Sequence, residues 1–102
     1  MKTLALLIAL AGALPAAAAA EAADAQALAQ GRQLYTSYCA RCHGVNMVTT
    51  GTSFDLRTFP ADRRERFDRS VTQGLRAMPA WGTTFKLEEL DALWLYVTIN
   101  AR

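Results

Sequence analysis

The sequence predicts an all-α fold, a single domain wrapped around a bound prosthetic group, and three observations predict it. Apolar residues recur at helical spacing in three segments, and no stretch alternates in the manner of a strand over a useful length. The segment Cys39-Ala40-Arg41-Cys42-His43 gathers both cysteines and the single histidine of the 102-residue chain. The part of the chain expected to fold is about 82 residues long, where a protein core alone is marginal and a buried group commonly supplies the missing apolar contacts.

The first twenty residues do not belong to that domain. Lys2 supplies a short basic region, Thr3 to Leu14 an apolar stretch too short to span a bilayer, and Ala18-Ala19-Ala20 an A-x-A cleavage site. Residues 1–20 therefore read as a secretory signal peptide cleaved before Glu21, with an uncleaved membrane anchor as the competing reading. Residues 21–102 form the domain, with no membrane span expected after cleavage. Loss of Lys2 leaves ten basic residues against nine acidic ones, a formal charge of +1. Such a balance excludes a global electrostatic case for nucleic acid, whose binding runs on phosphate neutralisation by many cations.

The first helix is expected from Asp24, a plausible N-cap, to Tyr38, with Ala27, Leu28, Gly31, Leu34, Tyr35 and Tyr38 at helical spacing. Glycine inside a helix costs about 1 kcal/mol relative to alanine, so Gly31 points to a close helix crossing. The stretch Gly44 to Pro60 lacks periodicity and reads as a loop, with Phe54, Leu56 and Phe59 turned inward.

The second helix is expected from Asp62, with Glu65 completing a capping box, to Gly74, a good C-terminal stop. Phe67 and Val71 share one side. Arg63, Arg64, Arg66 and Arg69 occupy the others and read by default as a solvated face, with docking to a partner or pairing to an acidic group of the bound prosthetic group as the competing role for one of them. The third helix runs from Leu87 to Asn100, with Glu88, Glu89 and Asp91 where the helix dipole favours acids. Leu87, Leu90, Trp94 and Val97 form one stripe, and Leu93, Tyr96 and Ile99 widen it beyond a single packing face. That helix is expected to touch two things, the first helix near Gly31 and the bound group.

The chemistry lies in residues 39–43. Two thiols three positions apart can each add to one vinyl group on the same edge of a porphyrin, and the histidine that follows then sits under the iron. The segment therefore reads as a covalent haem attachment site. A disulfide between Cys39 and Cys42 would close a tiny loop and constrain the unfolded chain little. A thioredoxin-like pair needs a βαβ context that the chain lacks, and a zinc site lacks a second cysteine pair. Export agrees with haem, which is joined to such proteins outside the cytoplasm.

On these residues the chain resembles the small class I c-type cytochromes. Gly31-Arg32-Gln33-Leu34-Tyr35 through Cys39 to Gly44, Ala77-Met78-Pro79-Ala80-Trp81, and Leu87 to Val97 carry the resemblance. It implies a small cytochrome c fold, three main helices and loops around one covalently attached haem c, bound by Cys39 and Cys42. His43 and Met78 are then the axial iron ligands. Met47 is the other methionine to weigh. It lies four residues from His43, and four extended residues reach at most about 14 Å, scarcely enough to pass round the ring. An open or water-bound iron stays a third reading of the sixth position. Tyr35 and Arg57 are weaker candidates for haem contact, and Trp81 is either a packing aromatic or a propionate hydrogen-bond donor. The family usually opens its last helix with a serine-like cap, where this chain has Lys86.

The resemblance implies a monomeric, periplasmic one-electron carrier rather than an enzyme, because two protein ligands close the iron to substrate and a His/Met pair raises its reduction potential. A haem enzyme or gas-binding sensor, with an open sixth position, is the competing class. The run Gly44-Val45-Asn46-Met47 through Phe54-Asp55-Leu56-Arg57 to Phe59-Pro60 is similar to small cytochromes associated with quinoprotein alcohol dehydrogenases. This implies redox partners: such a dehydrogenase as donor and a terminal oxidase as acceptor, with respiratory or photosynthetic partners still open.

Overall fold

Helix formation begins earlier than the capping pattern predicts. In the computed structural model, which describes Thr3 and residues 15–100, α1 runs from Ala16 to Tyr38 with Pro15 at its N-cap. Asp24, expected to open this helix, lies inside it. The alanines before Glu21 have the highest helix propensity, and proline is tolerated at a helix start because the amide it lacks would have no partner there. Of the apolar stretch in the expected signal peptide, all but Thr3 lies outside the described residues. Among the described residues no helix is long and apolar enough to cross a membrane.

After Cys39 the chain makes a single helical turn, α2 (Ala40–His43), then 3₁₀ turns at Val45–Met47 and Leu56–Thr58, then α3 (Arg64–Gln73) and α4 (Leu87–Asn100). The described residues hold no strand, only an isolated bridge between Leu75 and Met78, so the fold is all-α as predicted. The expected capping box of α3 does not form: the N-cap is Arg63, without a side-chain cap. The Arg63 amide donates to the Pro60 carbonyl, 3.2 Å, and this turn after the proline consumes Asp62 before the helix can start. At α4 the reverse holds. Lys86 brings no side-chain cap, yet its amide donates to Glu89 Oε1 at 2.8 Å, which supplies one half of a capping box.

The packing centre is the crossing of α1 and α4 at Gly31. A Cβ there would overlap the Ala92 carbonyl oxygen and lie 2.7 Å from its carbon, so only glycine lets the backbones approach this closely. One turn on, the buried Tyr35 ring stacks on Tyr96, centroids 5.1 Å apart. Leu90, Leu93, Tyr96 and Val97 are buried, whereas Leu87 is 82% exposed. The predicted stripe is buried at Leu90 and Val97 and half-buried at Trp94; Leu93 and Tyr96 join the buried face, and the first stripe residue, Leu87 at the helix start, is the one left exposed. Phe59, Phe67 and Trp94 form an aromatic cluster between the long loop, α3 and α4.

The arginines of α3 do not form one solvated face. Arg64 donates to Asp68 at 2.8 Å and to Asp91 of α4 at 2.7 Å, and its guanidinium lies 5.8 Å from the Trp94 ring centre. These pairs are half-exposed, worth about 1 kcal/mol or less each, but they tie α3 to α4. Arg63, Arg66 and Arg69 stay exposed as expected.

Candidate functional site

Cys39 ends α1 and starts α2. Its amide donates to the Tyr35 carbonyl at 2.8 Å, and its own carbonyl accepts from Cys42 at 3.2 Å and His43 at 2.9 Å. The two thiols thus sit three apart on one helical turn, a spacing that places side chains on the same face. Cys39 is half-buried and Cys42 exposed, and they form no disulfide. Burial, and secondarily the neighbouring Cys42, pushes the Cys39 thiol up to about 11. A thiol–disulfide oxidoreductase keeps its attacking cysteine low instead, a shift opposite in direction to that of Cys39. Among the described residues no group of three or more His, Cys, Asp or Glu side chains could hold a metal ion, which leaves the zinc reading without ligands.

Two contacts fix the turn. The Tyr35 hydroxyl donates to the Gly44 carbonyl at 2.6 Å, spanning the whole attachment segment. That hydroxyl is pushed up to about 12, chiefly by burial, so it keeps its proton at any physiological pH. His43 Nδ1 lies 3.1 Å from the Phe54 carbonyl. A carbonyl only accepts, so Nδ1 carries the proton and Nε2 is left with the lone pair that binds a metal.

The second half of the site is held from α3. The α3 helix closes with the Gly74 amide on the Ser70 carbonyl, 2.9 Å. Leu75 and Met78 then exchange two backbone hydrogen bonds, of 3.2 and 2.9 Å, around a turn in which Arg76 takes φ +56°. Past Pro79, which has no amide proton to place, the Trp81 amide donates to the Val71 carbonyl and the Gly82 amide to that of Thr72, both 2.9 Å. Met78 is thereby fixed on both sides.

One cavity of about 240 Å³ joins these parts: Cys39, His43 and Met78 all line it. Its apolar walls come from Phe54, Leu56 and Phe59 of the loop, Phe67 and Val71 of α3, and Leu93 and Val97 of α4. The loop residues turn inward as predicted, although Phe54 is also 47% exposed. The α4 helix does touch both α1 and the cavity. Cys42 does not line the cavity, and Met47 is fully buried in the core away from it. Of the weaker candidates, Tyr35 lines the cavity while Arg57 does not and pairs with Asp55 at 3.0 Å. Trp81 lies off the cavity, edge-on to Tyr38 at 5.4 Å and tilted on Phe85 at 5.8 Å.

Arg66, Ser70 and Arg76 also line the cavity; the sequence did not single out Ser70, and it read Arg66 by default as solvated. Their signal was present in part: positions 66, 67, 70 and 71 share one helix face, so the polar pair accompanies Phe67 and Val71 wherever these pack.

Residues 26–97 match the family described as cytochrome c oxidase, cbb3-type, subunit III. The chain belongs to the cytochrome c family. Among its relatives, cytochrome c6 of Microcystis aeruginosa is 33% identical over 76 residues, 70% of this chain and 94% of that protein. Quinohemoprotein alcohol dehydrogenase ADH IIB of Pseudomonas putida is 37% identical over 70 residues, 66% of this chain. A second Pseudomonas putida enzyme, ADH-IIG, is 30% identical over 81 residues. The chain spans about a tenth of the length of these two dehydrogenases. No solved structure matches.

This cytochrome therefore carries covalently bound haem c, and the residues present fit that group. One cavity brings together one of the two thiols, an imidazole with its Nε2 lone pair available, a thioether and apolar walls, and the second thiol, Cys42, lies three residues from the first outside the cavity lining. At this level the chain is a haem-bearing electron-transfer protein.

Proposed function

We propose that this cytochrome is a periplasmic one-electron carrier, with haem held by Cys39 and Cys42 and iron bound between His43 and Met78. The observation that carries the reading is that His43 and Met78, 35 positions apart in sequence, line the same cavity as Cys39. The haem, when bound, supplies a one-electron iron couple. The chain's residues do the rest. Phe54 orients the imidazole, the Leu75–Met78 turn presents the thioether, and the apolar walls exclude water, so the charge of the site changes with little rearrangement around it. With both axial positions taken by side chains there is no place for a substrate, which favours a carrier over a haem enzyme or gas sensor. An absorption spectrum of the ferric protein tests this through the methionine-to-iron band near its red end. Absence of that band would mean an open sixth position and overturn the reading.

The kinship with the cytochrome portion of quinohemoprotein alcohol dehydrogenases supports a quinoprotein dehydrogenase as electron donor, and a terminal oxidase then serves as acceptor. Export follows from the signal segment, residues 1–20. Protein produced with a haem-attachment system is expected to carry one haem on Cys39 and Cys42 and to begin at or near Glu21. Intact mass after acid–acetone extraction checks both halves. A mass without haem defeats the attachment, and a mass retaining Met1 to Ala20 defeats the cleavage.

A further inference from the structure

The ion pairs of the described residues engage Arg57 and Arg64 and leave Arg66 against aromatic rings instead. Its guanidinium lies 5.0 Å from the Phe59 ring centre and 5.6 Å from that of Phe54. Both rings line the cavity, and so does Arg66. The charged side chains on the cavity wall are thus the cations Arg66 and Arg76, with no aspartate or glutamate among the lining residues. An apolar cavity that presents cations without anions fits an anionic occupant.

Haem brings carboxylates into this cavity. A carboxylate leaving water for apolar surroundings is costly unless it is paired and hydrogen-bonded, and the planar fork of arginine matches it with two parallel hydrogen bonds. Arg66 is better prepared for this than Arg76. The rings of Phe54 and Phe59 already restrict its guanidinium, so less side-chain entropy is lost on pairing. Both arginines are exposed, but the aromatic contacts are made by Arg66, and none holds the head of Arg76 on the turn before Met78. Resting on the haem site proposed above, we propose that Arg66 pairs with a haem propionate and by that contact helps to set the reduction potential of the iron. A cation paired close to the haem favours the reduced, less positive state, so its removal lowers the potential.

Redox titration and resonance Raman spectroscopy of the holoprotein test this with three variants. Arg66→Gln is expected to shift the oxidation equilibrium about tenfold towards the ferric form, about 59 mV for one electron, and to move the propionate bending bands. Arg69→Gln removes the same charge from a position on the same helix that does not line the cavity and is expected to change neither markedly. Arg66→Lys keeps the charge without the fork and is expected to recover part of the potential, and it decides the matter if Arg66→Gln fails to retain haem. Equal potential shifts in Arg66→Gln and Arg69→Gln with unmoved Raman bands would reduce Arg66 to a distant charge and overturn the proposal. A wild-type mass without haem is a separate outcome, which removes the site reading as well.

Discussion

Reduced Met78→Ala protein is expected to bind carbon monoxide, while Met47→Ala leaves the iron closed. The reach argument from sequence placed Met47 too near His43 to return to the opposite face of the ring, and the structure adds an independent reason. Met47 is fully buried in the core, follows a 3₁₀ turn with φ +63°, and does not line the cavity that holds His43 and Met78. Its loss is therefore a packing event, costing about 2–5 kcal/mol for methionine to alanine in a core, and its readout is thermal stability. Met78 shows the opposite pattern. It is only half-buried, so truncation removes little packing, yet the proposed sixth ligand goes with it. Carbon monoxide binding by Met47→Ala but not by Met78→Ala would show the ligands reversed. Binding by the unaltered protein would favour the gas-binding class.

The second large effect is on stability. Gly31→Ala is expected to lower the melting temperature of the holoprotein, although alanine is the better helix former by about 1 kcal/mol. The added Cβ would overlap the Ala92 carbonyl of α4, and it would lie 3.0 Å from the Tyr96 Cβ. Neither neighbour is the end of a flexible side chain, so the helices have to separate. Overpacking of this kind costs typically 1–3 kcal/mol and occasionally more, which outweighs the propensity gain. In a domain of this size each kcal/mol is roughly 4–8 °C of melting temperature. A melting temperature that rises in Gly31→Ala would mean that the crossing is looser than the structure has it.

Gly31 also shows what the sequence made legible. A glycine amid helix formers is a local anomaly whose simplest relief is a backbone passing nearby, and the partner helix was identifiable from its surplus of apolar positions. The bounds of α4 and the pair Cys39 and His43 were legible from spacing, whereas Met78 was legible only through the resemblance to small c-type cytochromes. Other features depend on competition that no single pattern displays. Asp24 is a good cap, but the alanines before it hold the helix without one. Asp62 and Glu65 have capping-box spacing, but the turn after Pro60 uses Asp62 first. Leu87 fits the stripe, but it opens α4 and lies beyond the packed turns. Arg66 was legible as exposed but not as a cavity residue, because its neighbours Phe54 and Phe59 lie on a loop whose path is not periodic.

The hydrogen bonds from Trp81 and Gly82 to the last carbonyls of α3 have a dynamic consequence. Those carbonyls belong to Val71 and Thr72, in the final turn of the helix, and their acceptor capacity is met by the segment that carries Met78. If Met78 is the iron ligand, as proposed, movement of its loop away from the iron would expose a helix end, and release of the ligand and fraying of α3 would be one cooperative opening. The lifetime of that proposed contact would then be governed by a local unfolding equilibrium rather than by a side-chain rotation. Amide exchange at Trp81 and Gly82 reports on that opening, and exchange there much faster than at the core amides of α3 would uncouple the two.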